Sequence, residues 1–262
     1  MIVDGNHGAA ENMAIDEALH RSCVDWNSPP TLRIYGWTRP AVSLGFAQKA
    51  DTLDLEYCDS AGIEIVRRPT GGRAVVHGHD VTFSIVIPLD SLPIDSRSVR
   101  KSHEWLMSGV LSGFDRLGIR AELGGKDAPG GDAGAEQATR LRSQASANCF
   151  AKVAECDLRV GAFKLVGAAQ MRKDGVLLQQ GSIPIAQPRV DLRRLFPADD
   201  RSPNIGIPQI NFSREVVTEA LIAGISEALH VTLLPGSLTE SEVLLAERFA
   251  REKYSDDRWN RG

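Results

Sequence analysis

A single cysteine, Cys149, stands at the end of a long polar stretch and could act as a nucleophile. Residues 124–148 are rich in glycine, alanine, aspartate, glutamine and serine, a composition that predicts a mobile loop in the free protein. A thiolate can accept an acyl group from a thioester and pass it to an amine. A lone cysteine is more often structural, so the residues alone leave both interpretations open.

Lys164 lies within the apolar run Lys-Leu-Val-Gly-Ala-Ala-Gln, which is typical of a β-strand. An ammonium group in such a strand must stay hydrated, be paired, or point at a ligand oxygen, because burying it unpaired is expensive. The alternative is an edge-strand lysine that reaches solvent. The sequence therefore makes Lys164 a second candidate for chemistry.

A basic, glycine-containing stretch, RRPTGGRAVVH at residues 67–77, predicts a strand, a tight loop and another strand. Gly71 and Gly72 lack Cβ atoms, so a ligand could lie against bare main-chain amides, and adjacent N–H groups can form an anion-binding concavity. Arg67, Arg68 and Arg73 add positive charge nearby. The alternative is a hairpin turn with a solvated basic rim.

The remaining titratable residues near these motifs are assigned mainly to structure or solvent. His77 and His79 share one face of an extended segment, but no third ligand follows at a recognisable spacing, so no metal site is expected. His77 could orient the loop or handle a proton near Cys149, whereas His79 is expected to be exposed. Asp16 lies off the apolar stripe of a predicted helix and is expected to be solvated.

Bulk composition restricts the class of protein. The 262 residues are 42% hydrophobic, enough for a substantial core, and 30 basic against 34 acidic residues give a net charge of −4. This balance argues against a nucleic-acid partner. No apolar run is long enough to span a membrane, no leader peptide is recognisable, and the four cysteines form no Cys-x-x-Cys pair. A soluble cytoplasmic protein with reduced thiols is expected.

Hydrophobic periodicity predicts an α/β protein of the α+β type, with helices packed on a sheet. Helices are expected at 12–23, 53–62, 98–117, 213–229 and 242–254, the last opened by a capping box at Thr239 and Glu242. Strands are expected at 31–37, 41–46, 63–67, 81–87, 121–123, 156–160, 163–170, 176–185 and 231–234. The strands at 31–37 and 41–46 are expected to be neighbours, and residues 187–213 to form a connector with a helical turn at 192–195.

Three motifs in order, NMAIDEALH, RRPTGGRAVVH and KLVGAAQMRKDGVLLQQGSI, resemble the superfamily of lipoate-protein ligases and octanoyltransferases over roughly residues 10–260. The Cys149-Phe150 pair and the Gly-Gly-Arg loop are most similar to its cysteine-dependent octanoyltransferases, since ligases usually carry a third glycine in place of Arg73. The resemblance implies the biotin/lipoyl-attachment catalytic fold, a mixed, mostly antiparallel sheet with helices packed on it. One catalytic domain over 1–262 follows, and the pattern allows a small C-terminal helical extension from about 213.

The resemblance implies transfer of octanoyl from acyl carrier protein to a lysine of a lipoyl domain or of glycine-cleavage H protein. Cys149 would carry the acyl group and Lys164 would contact its carbonyl oxygen, without metal or nucleotide. The implied substrate-binding residues are Arg67, Arg68, Thr70, Gly71, Gly72, Arg73, His77 and Gly167. Three alternatives stay open: a lipoate-protein ligase using ATP and Mg²⁺ with the same loop and lysine, an amidotransferase between lipoyl domains, and a non-catalytic acyl-binding regulator.

Overall fold

The protein, as a computed structural model that describes residues 1–124, 147–151, 157–161, 163–198 and 211–262, contains two β-sheets. The strands are β1 Ile2–His7, β2 Thr31–Trp37, β3 Ala41–Leu44, β4 Glu64–Arg67, β5 Val75–His77, β6 Asp80–Pro88, β7 Glu122–Leu123, β8 Leu158–Val160, β9 Phe163–Lys173 and β10 Val176–Pro184. The large sheet has the order β1-β2-β6-β10-β9-β8-β7, and the small sheet has the order β4-β3-β5. Among the described strands of the large sheet, only β1 and β2 pair in parallel. The predicted mixed, mostly antiparallel sheet is confirmed.

Helices pack on both faces of the large sheet and against the small sheet. They are α1 Ala9–Trp26, α2 Leu55–Ser60, α3 Val99–Arg116, α4 Leu192–Leu195, α5 Arg214–Ala228, α6 Glu240–Phe249 and α7 Asp257–Asn260. The capping box predicted at Thr239 is confirmed, and Ser98 and Ser213 cap α3 and α5 with their side-chain oxygens. In the part of the chain that the structure describes, none of these helices has the length and apolar character needed to cross a membrane.

Alternation along β10 separates two hydrophobic cores. Leu177 belongs to the core beneath α3 and α5, whereas Leu178 belongs to the core beneath α1 and α6. The same alternation directs Gln179 toward Met107 of α3 and Gln180 toward Met13 of α1. The α1 face is the one on which the candidate active site is built.

Two predictions about strands are wrong. The predicted neighbours β2 and β3 lie in different sheets, because β3 pairs with β4 and β5 after the turn at Pro40. Residues 231–234 are not a strand: Leu234 is exposed, and its carbonyl accepts a hydrogen bond from the amino terminus without joining a ladder. The predictions made for residues 125–146, for Cys156 and for residues 199–210 of the connector lie outside the described residues.

The expectation that Asp16 is solvated is also wrong, since its side chain is 0% exposed. Its carboxylate accepts hydrogen bonds from Arg33, Tyr35, Ser84 and Gln180, at 2.7–2.9 Å. These donors come from β2, β6 and β10, so the network joins α1 to three strands. Helical periodicity could not reveal it, because the partners are supplied by distant strands.

Replacement of Asp16 tests how strongly this network stabilises the fold. Asp16→Ala removes the fully buried carboxylate partner of Arg33 and leaves the partly exposed Asp4 as its remaining counter-ion. Loss of one partner of a buried ion pair typically costs about 3–5 kcal/mol. The free energy of unfolding from urea denaturation should fall by that amount. Asp25→Ala on the same helix removes an exposed partner of Arg21 and should cost no more than about 1 kcal/mol. Equal losses in the two variants would contradict this account.

Candidate active site

Backbone pairing holds Cys149 against the loop between β4 and β5. The N–H of Ala74 donates to the carbonyl of Ala147 at 3.0 Å, and the N–H of Cys149 donates to the carbonyl of Ala74 at 2.8 Å. Gln48 also donates to the carbonyl of Ala147 at 3.2 Å. Cys149 then opens a single helical turn, Cys149–Ala151, and its thiol is free and half-buried. The nucleophile candidate is therefore fixed to the glycine-containing loop.

Lys164 of β9 lies beside this sulfur. Its Nζ is 3.2 Å from Sγ of Cys149 and 2.7 Å from Oδ2 of Asp157, and it lies 5.5 Å from the centre of the Phe150 ring. The residue is only 6% exposed, so the alternative of a solvent-reaching lysine is wrong. Lys164 is paired on both sides, by the sulfur and by a carboxylate.

Asp157 is the functional candidate that the sequence analysis missed. It directly precedes β8, and the hairpin register that pairs Arg159 with Lys164 brings its carboxylate to the ammonium. The sequence signal for this pair was weak. Asp157 is a charged residue at the start of one predicted strand, and the next predicted strand carries Lys164 within an apolar run. Without the register, Asp157 is only a charged residue near the start of the strand predicted at 156–160.

The charges around Lys164 decide its protonation. Burial by itself lowers the pKa of Lys164, but the thiolate form of Cys149 and the carboxylate of Asp157 outweigh burial, so the net pKa is raised above its usual value. Lys164 consequently stays an ammonium near neutral pH. A fixed cation next to the sulfur can stabilise both a thiolate and the oxyanion of an acyl intermediate.

Gly167 leaves space next to the sulfur of Cys149 because it has no side chain. A Cβ at this position would lie 3.3 Å from Sγ of Cys149 and 3.2 Å from Cε of Lys164. A pocket with about 420 Å³ of empty space, its open mouth included, begins here and reaches Met13 and Tyr35 at the α1 side. The structure thus brings together Cys149, Lys164 and Gly167, three of the predicted site residues.

Arg67 at the end of β4 and Arg68 at the start of the loop both direct their guanidinium groups at backbone carbonyls. Arg67 donates to the carbonyls of Gly45, Phe46, Gln48, Trp259 and Asn260, and it is not among the residues that line the pocket. This geometry supports a structural role for Arg67 in place of the predicted substrate contact.

Arg68 does line the pocket, but its guanidinium donates to the carbonyls of Ser43, Gly71 and Arg73. Burial lowers the pKa of Arg68 to about 10. The loop is therefore shaped around this buried cation, which remains charged at neutral pH.

Some of the other loop residues stabilise the loop, and others line the pocket. Thr70 is buried and donates to Oε1 of Gln180 at 2.8 Å, which ties the loop to the Asp16 network. Gly72, with φ +91°, lines the pocket and also a surface depression that contains Gly71 and the exposed Phe46. Arg73 is half-buried. The substrate contacts predicted for Gly71, Gly72 and Arg73 stay predictions.

His77 lines the pocket as part of a closed polar cluster. Its Nε2 lies 2.8 Å from Oγ of Ser43, its Nδ1 lies 2.8 Å from Oδ2 of Asp80, and its ring stacks on Trp37 at 3.9 Å. Burial raises the pKa of Asp80, but the charge and hydrogen bond of His77 outweigh it, so the net pKa is below the usual value. Since both ring nitrogens are engaged, the cluster favours an orienting role for His77.

His79 is buried at 9% exposure, so the expectation that it is exposed is wrong. Its carbonyl accepts the N–H groups of Ile185 and Ala186, and burial lowers the pKa of its ring. Among the described residues, no three His, Cys, Asp or Glu side chains form a group that could hold a metal ion.

Differences in burial predict selective alkylation of Cys149. Cys23 and Cys58 are 3% and 0% exposed, and burial raises the pKa of both thiols, that of Cys58 to about 11. The thiolate is the reactive form, so iodoacetamide at neutral pH should label Cys149 at least tenfold faster than either, as followed by peptide mass spectrometry. The unfolded protein, in which all three label, is the control. Comparable labelling of Cys58 in the folded protein would refute this arrangement.

Comparison with known proteins finds similar sequences and folds over nearly the whole chain. The chain is 38% identical to an octanoyltransferase LipM from Kyrpidia tusciae, over 98% of this chain and 96% of that one. It is 34% identical to an octanoyltransferase LipM from Geobacillus kaustophilus, over 96% and 93%. The structure of a putative lipoate protein ligase from T. acidophilum with bound lipoic acid superposes with a TM-score of 0.78 at 28% identity, covering 100% of this chain and 98% of that one. The family described as the lipoyl protein ligase A/B catalytic domain matches residues 8–219, and the chain belongs to that family.

Proposed function

We infer that this chain is an octanoyltransferase of lipoate biosynthesis and that Cys149 carries the acyl group. Relatives named octanoyltransferase LipM match it at 30–38% identity over nearly its whole length. The observation that carries the role of Cys149 is its sulfur, 3.2 Å from the buried ammonium of Lys164 at a pocket that begins beside Gly167. A nucleophile, a fixed cation and room for a chain meet at one point.

The first step is thioester exchange with octanoyl-acyl carrier protein. The thiolate of Cys149 attacks the carbonyl carbon, and the ammonium of Lys164 stabilises the negative oxygen that forms. The carbon–sulfur bond to the carrier's pantetheine then breaks, and that thiol leaves with a proton taken up from solvent. Octanoyl remains as a thioester on Cys149.

The second step moves octanoyl to a lysine of a lipoyl domain or of glycine-cleavage H protein. The neutral amine attacks the thioester carbonyl, the same ammonium stabilises the oxyanion, and the amine loses its proton to solvent as the amide forms. Cys149 leaves as the thiolate with which the cycle began. Because an amide is more stable than a thioester, these two reaction steps need neither a nucleotide nor a metal. We assign the protein to the cytoplasm, where the thiol of Cys149 stays reduced.

The ATP-dependent ligase is the less well supported alternative. An adenylate would need positive charge directed at its phosphate, yet the guanidinium groups of Arg67 and Arg68 are occupied by backbone carbonyls. Cys149 would have no covalent role in that reaction. The arrangement of charges therefore supports transfer from a thioester.

The transferase assignment is tested by incubating the protein with octanoyl-acyl carrier protein and a lipoyl domain in the absence of ATP. Mass spectrometry should detect an octanoyl adduct on Cys149 and an octanoylated lysine on the lipoyl domain. Cys149→Ser should lose the adduct and lower transfer by several orders of magnitude, because a neutral hydroxyl is a far weaker nucleophile. Cys23→Ser, which alters a buried thiol that does not line this pocket, should transfer normally. Transfer that occurs only with ATP and free octanoate would favour the ligase.

Removing the Asp157 carboxylate should change the pH dependence of acylation. Asp157 helps to raise the pKa of Lys164, so Asp157→Asn lowers that pKa, and Lys164 loses its proton at a lower pH than in the parent protein. The alkaline decline in the single-turnover rate of Cys149 acylation should shift to lower pH. Glu122→Gln, which removes the carboxylate facing Arg159 at the neighbouring edge, should leave the profile unchanged. An unshifted alkaline limb in Asp157→Asn would assign Asp157 to structure alone.

A further inference from the structure

We propose that Met13 closes the far end of the acyl pocket and sets the length of the chain that Cys149 accepts. The inference rests on the proposed function, since it concerns the acyl group carried by that cysteine. Met13 belongs to α1, on the side of the large sheet that the pocket occupies, and it lines the same pocket as Cys149. Met13 is the second residue of the NMAIDEALH motif, but no functional role was predicted for it from the sequence.

The direction of the pocket follows from the strand register. Gly167 of β9 pairs with Ser182 of β10, Ser182 pairs with Thr82 of β6, and Thr82 pairs with Tyr35 of β2. All four residues line the pocket. They form one row perpendicular to the strands, so the pocket crosses the sheet from Cys149 at β9 toward α1 at β2.

The row also gives a length. Neighbouring strands are about 4.8 Å apart, so three intervals from β9 to β2 span roughly 14 Å. A fully extended backbone covers about 1.2 Å per bond, so the carbon chain of an octanoyl group spans roughly 8–9 Å. A chain attached at Cys149 would pass Ser182 and end near Thr82. Met13 packs in one hydrophobic cluster with Tyr35 and Trp37 of β2, and all three line the pocket, so they occupy the remaining interval.

The wall of this row suits hydrocarbon although it contains hydroxyl groups. Ser182 and Thr82 both donate to Oδ2 of Asp80, and the hydroxyl of Tyr35 donates to Oδ2 of Asp16. Each hydroxyl proton therefore has an acceptor within the protein. A hydrocarbon chain can lie along the row without leaving these donors unpaired.

Of the residues at the far end of the pocket, Met13 is the one that can be replaced without breaking a strong hydrogen bond. Tyr35 is tied to Asp16, whereas the thioether of Met13 receives only a weak contact from Nε2 of Gln180, at 3.4 Å. Methionine is unbranched and fills irregular gaps with little cost on replacement by a residue of similar volume. Chain-length preference should therefore respond to Met13 more directly than to Tyr35.

The test is competition for Cys149 among acyl carrier proteins loaded with hexanoyl, octanoyl, decanoyl and dodecanoyl groups in equal amounts. Mass spectrometry reads the acyl groups on the cysteine, and no acceptor protein is needed. The parent protein should carry mainly octanoyl. Met13→Ala should raise decanoyl relative to octanoyl by roughly tenfold, because two further methylenes become buried. Met13→Val should shift the distribution in the same direction, and Met13→Leu should keep the parent distribution.

Met107→Ala is the matched control. Met107 is a buried methionine of α3 that contacts Gln179, the neighbour of Gln180 on β10, but it lies on the opposite face of the sheet and does not line the pocket. It should lower the melting temperature as Met13→Ala does and leave the acyl distribution unchanged. An unshifted distribution in folded Met13→Ala and Met13→Val, or an equal shift in Met107→Ala, would overturn the inference. A parent protein that takes no acyl group at all would overturn the proposed function instead, and this inference with it.

Discussion

A buried ammonium is the constraint on which the site depends. Lys164 is 6% exposed in an apolar strand, and an ammonium so placed is tolerated only when it is paired and hydrogen-bonded. Asp157 supplies one partner at 2.7 Å and the sulfur of Cys149 the other at 3.2 Å. The hairpin of β8 and β9 and the turn at residue 149 must therefore assemble together. The same contacts that satisfy the buried charge also hold the ammonium beside the sulfur of Cys149.

Two further buried charges organise the walls of the pocket. Asp16 gathers donors from β2, β6 and β10, and Asp80 lies next to His77 and accepts from Thr82 and Ser182. Each carboxylate collects polar side chains that would otherwise face the pocket with unpaired donors. The result is an apolar cavity built with many polar residues. Local hydrophobicity along the strands would not identify such a cavity.

Sequence patterns marked Cys149 and Lys164 as candidates because both stand out from their immediate surroundings, one after a polar stretch and the other within an apolar strand. The resemblance to a known family then favoured a functional role for each. Sequence patterns could not locate Asp157, whose partner is set by hairpin register, or place Asp16, whose partners come from three strands. Hydrophobic periodicity and turn residues also predicted most of the helices and strands. They failed for residues 231–234, where an apolar run stays exposed and pairs with nothing in a sheet.

The partners of Arg67 and Arg68 also could not be predicted from the sequence, and they bear on the kind of substrate that the site accepts. From sequence, Arg67 and Arg68 are free positive charges beside a glycine turn, but in the structure their donors are consumed by backbone carbonyls. Lys164 is likewise balanced by Asp157. Each of these three cations has its partners before any substrate arrives: carbonyl oxygens for the two arginines and a carboxylate for Lys164. This arrangement suits a neutral thioester whose negative charge exists only in the intermediate. The phosphate of a nucleotide would have to compete for guanidinium donors that backbone carbonyls already occupy.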